Sequence, residues 1–123
     1  MILVDTAVWI DHLHTAESRL VEQLELDRVG CHPLVIEELA LGSIARRDVV
    51  LELLANLRQF PTAQHAEILH LVDRRQLWGG RGLSAVDIHL MAAVFMVDGA
   101  QLWTRSKRLK AASREVGVRL FDE

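Results

Sequence analysis

Two hydrophobic periods alternate along the chain. Met1-Ile2-Leu3-Val4 is an unbroken apolar run ending at Asp5, the pattern of a first strand buried on both faces. Thr6 is placed to cap the helix that begins with Ala7-Val8-Trp9-Ile10. Over residues 17–26, Leu20, Val21 and Leu24 share one face and acids the other, which predicts an amphipathic helix. Val29-Gly30-Cys31-His32 is a short extended stretch. Pro33 then suits the first turn of a helix that runs to Leu41 and is closed by Gly42. Two further amphipathic helices are predicted over residues 48–57 and 63–77, separated by Phe60-Pro61-Thr62. Residues 78–83 form a glycine-rich loop, and Ser84 caps a strongly apolar helix that reaches about Val97 and ends at Asp98-Gly99. Residues 101–104 read as a strand, 106–116 as a helix and 118–121 as a last strand. Strands alternating with helices predict an α/β layer structure around a parallel sheet.

Composition narrows the class without changing that picture. The 123 residues amount to a single domain (1–123), and half of them are apolar. Only 7 Gly and 2 Pro are present, which excludes collagen-like repeats and argues against disorder. The longest apolar run, residues 90–97, falls far short of the ~20 residues of a membrane span. No basic segment precedes the first apolar run, so a secretory signal is not expected, and the lone Cys31 has no partner for an internal disulfide. A cytoplasmic location is the expectation. Charge is divided unevenly: residues 1–73 carry 5 basic and 12 acidic side chains, residues 74–123 carry 9 and 5. Residues 105–119 alone hold six basic residues against Glu115. Such a division suits a partner that meets both a cation-binding site and a phosphate-binding rim, although a solvated helix face gives the same counts.

Three groups of acids stand in apolar surroundings. Asp5 ends the first strand, at the edge where open α/β sheets place ligands; alone it reads as a helix cap. Asp87 lies in the most apolar helix, where an ionised carboxylate costs several kcal/mol unless compensated. Glu37 and Glu38 lie in the helix from Pro33, and either one alone reads as solvated. Taken together, acids from three elements fit a hard-cation site for Mg²⁺ or Mn²⁺. Other chemistries are disfavoured. His12 and His14 point to different helix faces, and His89 faces away from Asp87. Cys31 has no neighbouring base, and the glycine loop lacks the Lys-Ser/Thr of a phosphate-cradling loop.

At these residues the chain resembles the PIN-domain ribonucleases, specifically the VapC toxins of toxin–antitoxin pairs. Leu3-Val4-Asp5-Thr6-Ala7-Val8-Trp9-Ile10 is similar to the family's opening strand and first catalytic Asp. Val35-Ile36-Glu37-Glu38-Leu39-Ala40-Leu41-Gly42 resembles its Glu-Leu-x-x-Gly helix, a register that selects Glu38 over Glu37. Gly82-Leu83-Ser84-Ala85-Val86-Asp87 and the residues to Ala93 resemble its third-acid helix. Leu102-Trp103-Thr104-Arg105-Ser106 resembles the closing Thr-x-Asp turn, with Ser106 where the family commonly has a fourth acid. A hydroxyl there can accept a hydrogen bond but adds no negative charge.

The resemblance implies a PIN-like domain, a short parallel sheet flanked by helices, acting as an Mg²⁺- or Mn²⁺-dependent endoribonuclease. Asp5, Glu38 and Asp87 would be both its catalytic residues and its metal ligands. Thr6, Thr104 and Ser106 would orient them. Arg81, Arg105, Lys107 and Arg108 would neutralise RNA phosphates. A homodimer and a cognate antitoxin are further implications. Ser106 leaves a second reading open, a catalytically weakened PIN domain that binds RNA or antitoxin.

Overall fold

A computed structural model describes all of residues 1–123. Four parallel strands, β1 (Ile2–Val4), β2 (Val29–Cys31), β3 (Arg58–Gln59) and β4 (Gln101–Trp103), form one sheet in the order β3-β2-β1-β4. Seven helices connect or follow them: α1 (Thr6–His14), α2 (Ser18–Glu25), α3 (Pro33–Leu41), α4 (Arg47–Ala55), α5 (His65–Arg75), α6 (Ala85–Phe95) and α7 (Lys107–Val116). The architecture is α/β and consistent with a PIN-like fold. No helix is long and apolar enough to cross a membrane.

The strand order carries a consequence for function. From β1 the chain steps outward to β2 and β3, then crosses back over β1 to reach β4. Right-handed crossovers therefore place α1–α4 over one face and α5–α7 over the other; α1 on α3, α3 on α4 and α5 on α6 are the packed pairs that result. The sheet's topological switch point lies between β1 and β4, and ligands of open α/β sheets bind outside the carboxyl ends of the strands at that point. Asp5 and Thr104, which directly follow β1 and β4, sit at those ends.

The helices end where local chemistry stops them. Pro33 opens α3 and Gly42 closes it, as the sequence predicts. Ser84 caps α6 and Ser106 caps α7 through side chains that accept from Asp87 and Leu109 backbone N–H groups. Asp5 rather than Thr6 is the N-cap of α1: its carboxylate accepts the Thr6 N–H, and Thr6 is already helical.

Two strand expectations are corrected. The expected last strand, residues 118–121, is reduced to one parallel bridge between Leu102 and Leu120. Val118 cannot join a ladder because its N–H closes α7 on the Ser113 carbonyl. Conversely, β3 lies in a stretch that shows no strand pattern. Arg58 and Gln59 are exposed edge residues aligned by pairing with Gly30 and Cys31, and by the Phe60 N–H on the Cys31 carbonyl at 2.7 Å. Polar residues on so short an edge discourage pairing with other chains.

One buried cluster unites the sheet with both helical layers, centred on Leu3, Val4, Leu102 and Trp103. Gly30 is required inside it. A Cβ there would lie 2.7 Å from the Phe60 ring and 2.8 Å from the Met1 sulfur. Phe60 is itself buried in the core, so moving its ring disturbs packing. Gly30→Ala is expected to destabilise by roughly 1–3 kcal/mol, the usual range for overpacking. A chemical-denaturation midpoint equal to the wild-type value would contradict that packing.

Candidate active site

The carboxyl ends of β1 and β4 are joined by a side-chain hydrogen bond. Asp5 is 8% exposed, and its Oδ2 accepts the Thr104 hydroxyl at 2.7 Å while Oδ1 accepts the Thr6 N–H at 2.8 Å. Thr104 is buried and is oriented in turn by the Ser106 N–H, which donates to its Oγ1 at 3.1 Å. Burial pushes the Asp5 carboxyl above its ordinary value; the Thr104 and Thr6 hydrogen bonds oppose this, and the Asp87 charge adds to it. Asp5 is thus held rigidly and lies within electrostatic reach of Asp87.

Thr6 links the next acid. Its Oγ1 donates to Oε1 of Glu38, which reaches in from the exposed side of α3. Glu37 makes no such contact. Asp87 occupies the third position of α6 in a reciprocal capping box: its Oδ2 accepts the Ser84 N–H at 2.9 Å, and its own N–H donates to Ser84 Oγ at 3.1 Å. Deep burial of Asp87 was the expectation from its apolar helix. The structure corrects it to half-buried, because Ile88, Leu90 and Met91 fill the core from later in the helix while Asp87 stands at the mouth of its first turn. An acid there is also favoured by the helix dipole.

No Lys or Arg pairs with Asp5, Glu38 or Asp87; every ion pair in the molecule involves other acids. The site offers hard oxygen donors with uncompensated negative charge, which fits Mg²⁺ or Mn²⁺ by donor chemistry. The three carboxylates are not already drawn into a closed ligand set, since no three His, Cys, Asp or Glu side chains gather around one point. The switch point and the Thr6 and Thr104 hydrogen bonds bring Asp5 and Glu38 together, and Asp87 lies within electrostatic reach of Asp5.

The Ser106 hydroxyl is engaged as the α7 cap, accepting the Leu109 N–H at 3.2 Å, so its closest tie to Asp5 runs through its backbone and Thr104. Among the basic residues the placements diverge. Lys107 and Arg108 are exposed on the first turn of α7 and have no carboxylate partner. Arg108 lies across Gly82 of the loop before α6. Arg81 pairs with Glu115 and donates to the Gln76 carbonyl at 3.1 Å. Arg105 departs from its expected role at the phosphate rim. Its guanidinium is clamped by Glu123, Glu17 and Asp11, hydrogen bonds that push its pKa upward. These acids lie in distant parts of the chain, so sequence proximity to Lys107 and Arg108 gave no sign of the clamp.

Sequence reasoning also missed His32. Its Nδ1 accepts the Leu34 N–H at 3.0 Å, so an imidazole serves as the N-cap of α3. The signal was present in His32-Pro33, a side-chain acceptor just before a first-turn proline. The ring is fully buried and its Nε2 has no partner, nor does Nδ1 of His89, whose ring centroid is 6.3 Å away. Burial, followed by the His89 charge, lowers the His32 pKa to about 4. Because the folded pKa is depressed, the unfolded chain binds the extra proton first. Stability present above pH ~6.5 should therefore fall as pH drops from there towards about 4. His32→Asn, which preserves a capping acceptor and does not titrate, should flatten that slope in thermal melts; an unaltered slope would contradict the assignment. Cys31 is buried with its thiol pushed up to about 11, which agrees with its exclusion as a nucleophile.

No family model matches the chain. Ribonuclease VapC32 of Mycobacterium tuberculosis, in each of two strains, is 67% identical to it over 123 residues, which is 100% of this chain and 98% of that protein. The match spans the whole chain, from the opening strand to the residues after α7, and the chain therefore belongs to the VapC family of PIN-domain proteins.

Proposed function

We propose that this chain is the toxin ribonuclease of a toxin–antitoxin pair, hydrolysing RNA phosphodiester bonds internally with Mg²⁺ or Mn²⁺ held by Asp5, Glu38 and Asp87. The observation that carries the reading is the uncompensated carboxylate group at the β1–β4 switch point. When bound, such a cation supplies polarisation of the scissile phosphate and a lowered pKa for water. The chain's own residues do the positioning. Thr104 and the Thr6 backbone fix the Asp5 carboxylate, the Thr6 hydroxyl fixes Glu38, and Ser84 fixes Asp87. Such supporting contacts typically contribute 10–100-fold to metal affinity or activity.

Lys107 and Arg108 are the proposed phosphate contacts, with Arg81 beside them on the adjoining loop. They would offset the repulsion between RNA and an acidic centre. Two exposed apolar surfaces support protein partners, the cognate antitoxin and a second copy of this chain. One carries Leu13 and Leu53 in a groove between α1, α2 and α4; the other carries Phe95 and Met96 beside α5. A second reading, a PIN domain that binds but turns over slowly, is favoured by the neutral, cap-engaged Ser106.

Incubation of the purified chain with total cellular RNA tests the proposal. Discrete fragments are expected with Mn²⁺ and none with excess chelator. Intact RNA in Mn²⁺ would favour the binding-only reading, and equal cleavage in chelator would remove the cation from the account.

A further inference from the structure

The chain has three tryptophans, and their placements differ. Trp9 and Trp103 are 5% and 1% exposed, whereas Trp78 is 63% exposed. No other aromatic ring and no guanidinium lies over the Trp78 ring. An indole left this far in water gives up the burial that normally keeps tryptophan inside.

The loop that carries Trp78 is held at both ends. Leu77, the residue before, is buried in the core. Arg81 reaches back to the Gln76 carbonyl and sideways to Glu115 of α7, closing residues 76–81 into a turn. Gly79 and Gly80 have positive φ and open space around them, and Gly82 lies beneath the Arg108 side chain. Trp78 therefore projects from an anchored turn. Ser84, the cap of the Asp87 helix, lies six positions further along the chain, which bounds the Cα separation at about 20 Å.

Basic side chains flank the loop. Arg74 and Arg75 end α5 just before the loop, are exposed, and pair with no acid. Arg108 lies against Gly82, near the far end of the same loop. An exposed aromatic among unpaired arginines is the arrangement that receives unpaired nucleobases: the ring stacks on a base while the cations hold flanking phosphates. A basic rim also disfavours an apolar protein partner at this position.

We infer that Trp78 is a stacking platform for an unpaired base of the RNA, with Arg74 and Arg75 contacting the adjoining phosphates. The inference rests on the ribonuclease reading and adds a substrate feature to it: RNA that presents a single-stranded base within reach of the Asp87 helix.

The test measures binding in chelator, so that turnover does not intervene, using a labelled single-stranded oligoribonucleotide and the same strand in a duplex. Wild type should bind the single strand and show quenched emission of its one exposed tryptophan. Trp78→Ala should weaken single-strand binding roughly 5- to 150-fold, the span reported by aromatic truncation, and leave duplex binding nearly unchanged. Trp78→Phe should restore most of the loss. Wild-type affinity in Trp78→Ala, or equal losses for single strand and duplex, would overturn the platform while leaving the ribonuclease reading in place. A lowered oligomer mass with unaltered RNA affinity would assign Trp78 to a protein interface and overturn it as well. Failure of the wild-type chain to bind either RNA in chelator would overturn the platform, and the cleavage assay in Mn²⁺ then decides the ribonuclease reading separately.

Discussion

Asp5→Asn is expected to abolish RNA cleavage and to leave a folded protein. The substitution removes one charge and one acceptor: Asn is an equally good helix N-cap whose side-chain oxygen can still accept the Thr6 N–H, while its amide can no longer accept the Thr104 hydroxyl. The site loses its most rigidly held carboxylate, the one fixed by both Thr6 and Thr104. Loss of a fixed electrostatic contact at a reacting centre ordinarily costs on the order of 10²–10³ in rate, and loss of a charged ligand should cost at least that. Stability should move much less. Burial raises the Asp5 pKa, so the ionised carboxylate is a cost to the folded state at neutral pH, and relief of that cost offsets the lost Thr104 hydrogen bond. Without cation, Asp5→Asn should melt close to the wild-type temperature. Undiminished cleavage would displace Asp5 from the centre, and a large fall in melting temperature would make its role structural.

Ser106→Asp should strengthen cation binding and speed cleavage. Asp retains the α7 cap, since its carboxylate can accept the Leu109 N–H as the serine does. It also adds a negative charge to a region where Asp5 already feels Asp87. In chelator the added repulsion should lower the melting temperature. With Mn²⁺ the sign reverses, and a gain in affinity of about tenfold (~1.4 kcal/mol) is expected. If calorimetry and cleavage rate are both unmoved, the position after Arg105 is irrelevant to the centre, and the slow-turnover reading loses its support.

How much of this was legible in the sequence depended on whether the cause was local. The α3 boundaries follow from Pro33 and Gly42, and the α6 start from Ser84, because caps act within a few residues. Asp5 at the end of β1 was equally readable, since a short apolar run stopped by an acid admits few alternatives. What escaped was decided at long range. β3 exists because Gly30 and Cys31 align Arg58 and Gln59, which have no strand pattern of their own. Arg105 looks like its basic neighbours until Asp11, Glu17 and Glu123 come together around it. Asp87 seemed destined for burial because its helix is apolar, yet the first turn of a core helix can still face solvent. The joining of Asp5 to Glu38 through Thr6 also depends on how α1 packs on α3.

The account turns on whether the carboxylates at the β1–β4 switch point bind a divalent cation. Titrating Mn²⁺ into the wild-type chain and into Asp5→Asn by calorimetry measures this directly, without RNA or turnover. A saturable heat in wild type that disappears in Asp5→Asn is the predicted result. Equal heats in the two proteins, or none in wild type, would contradict it.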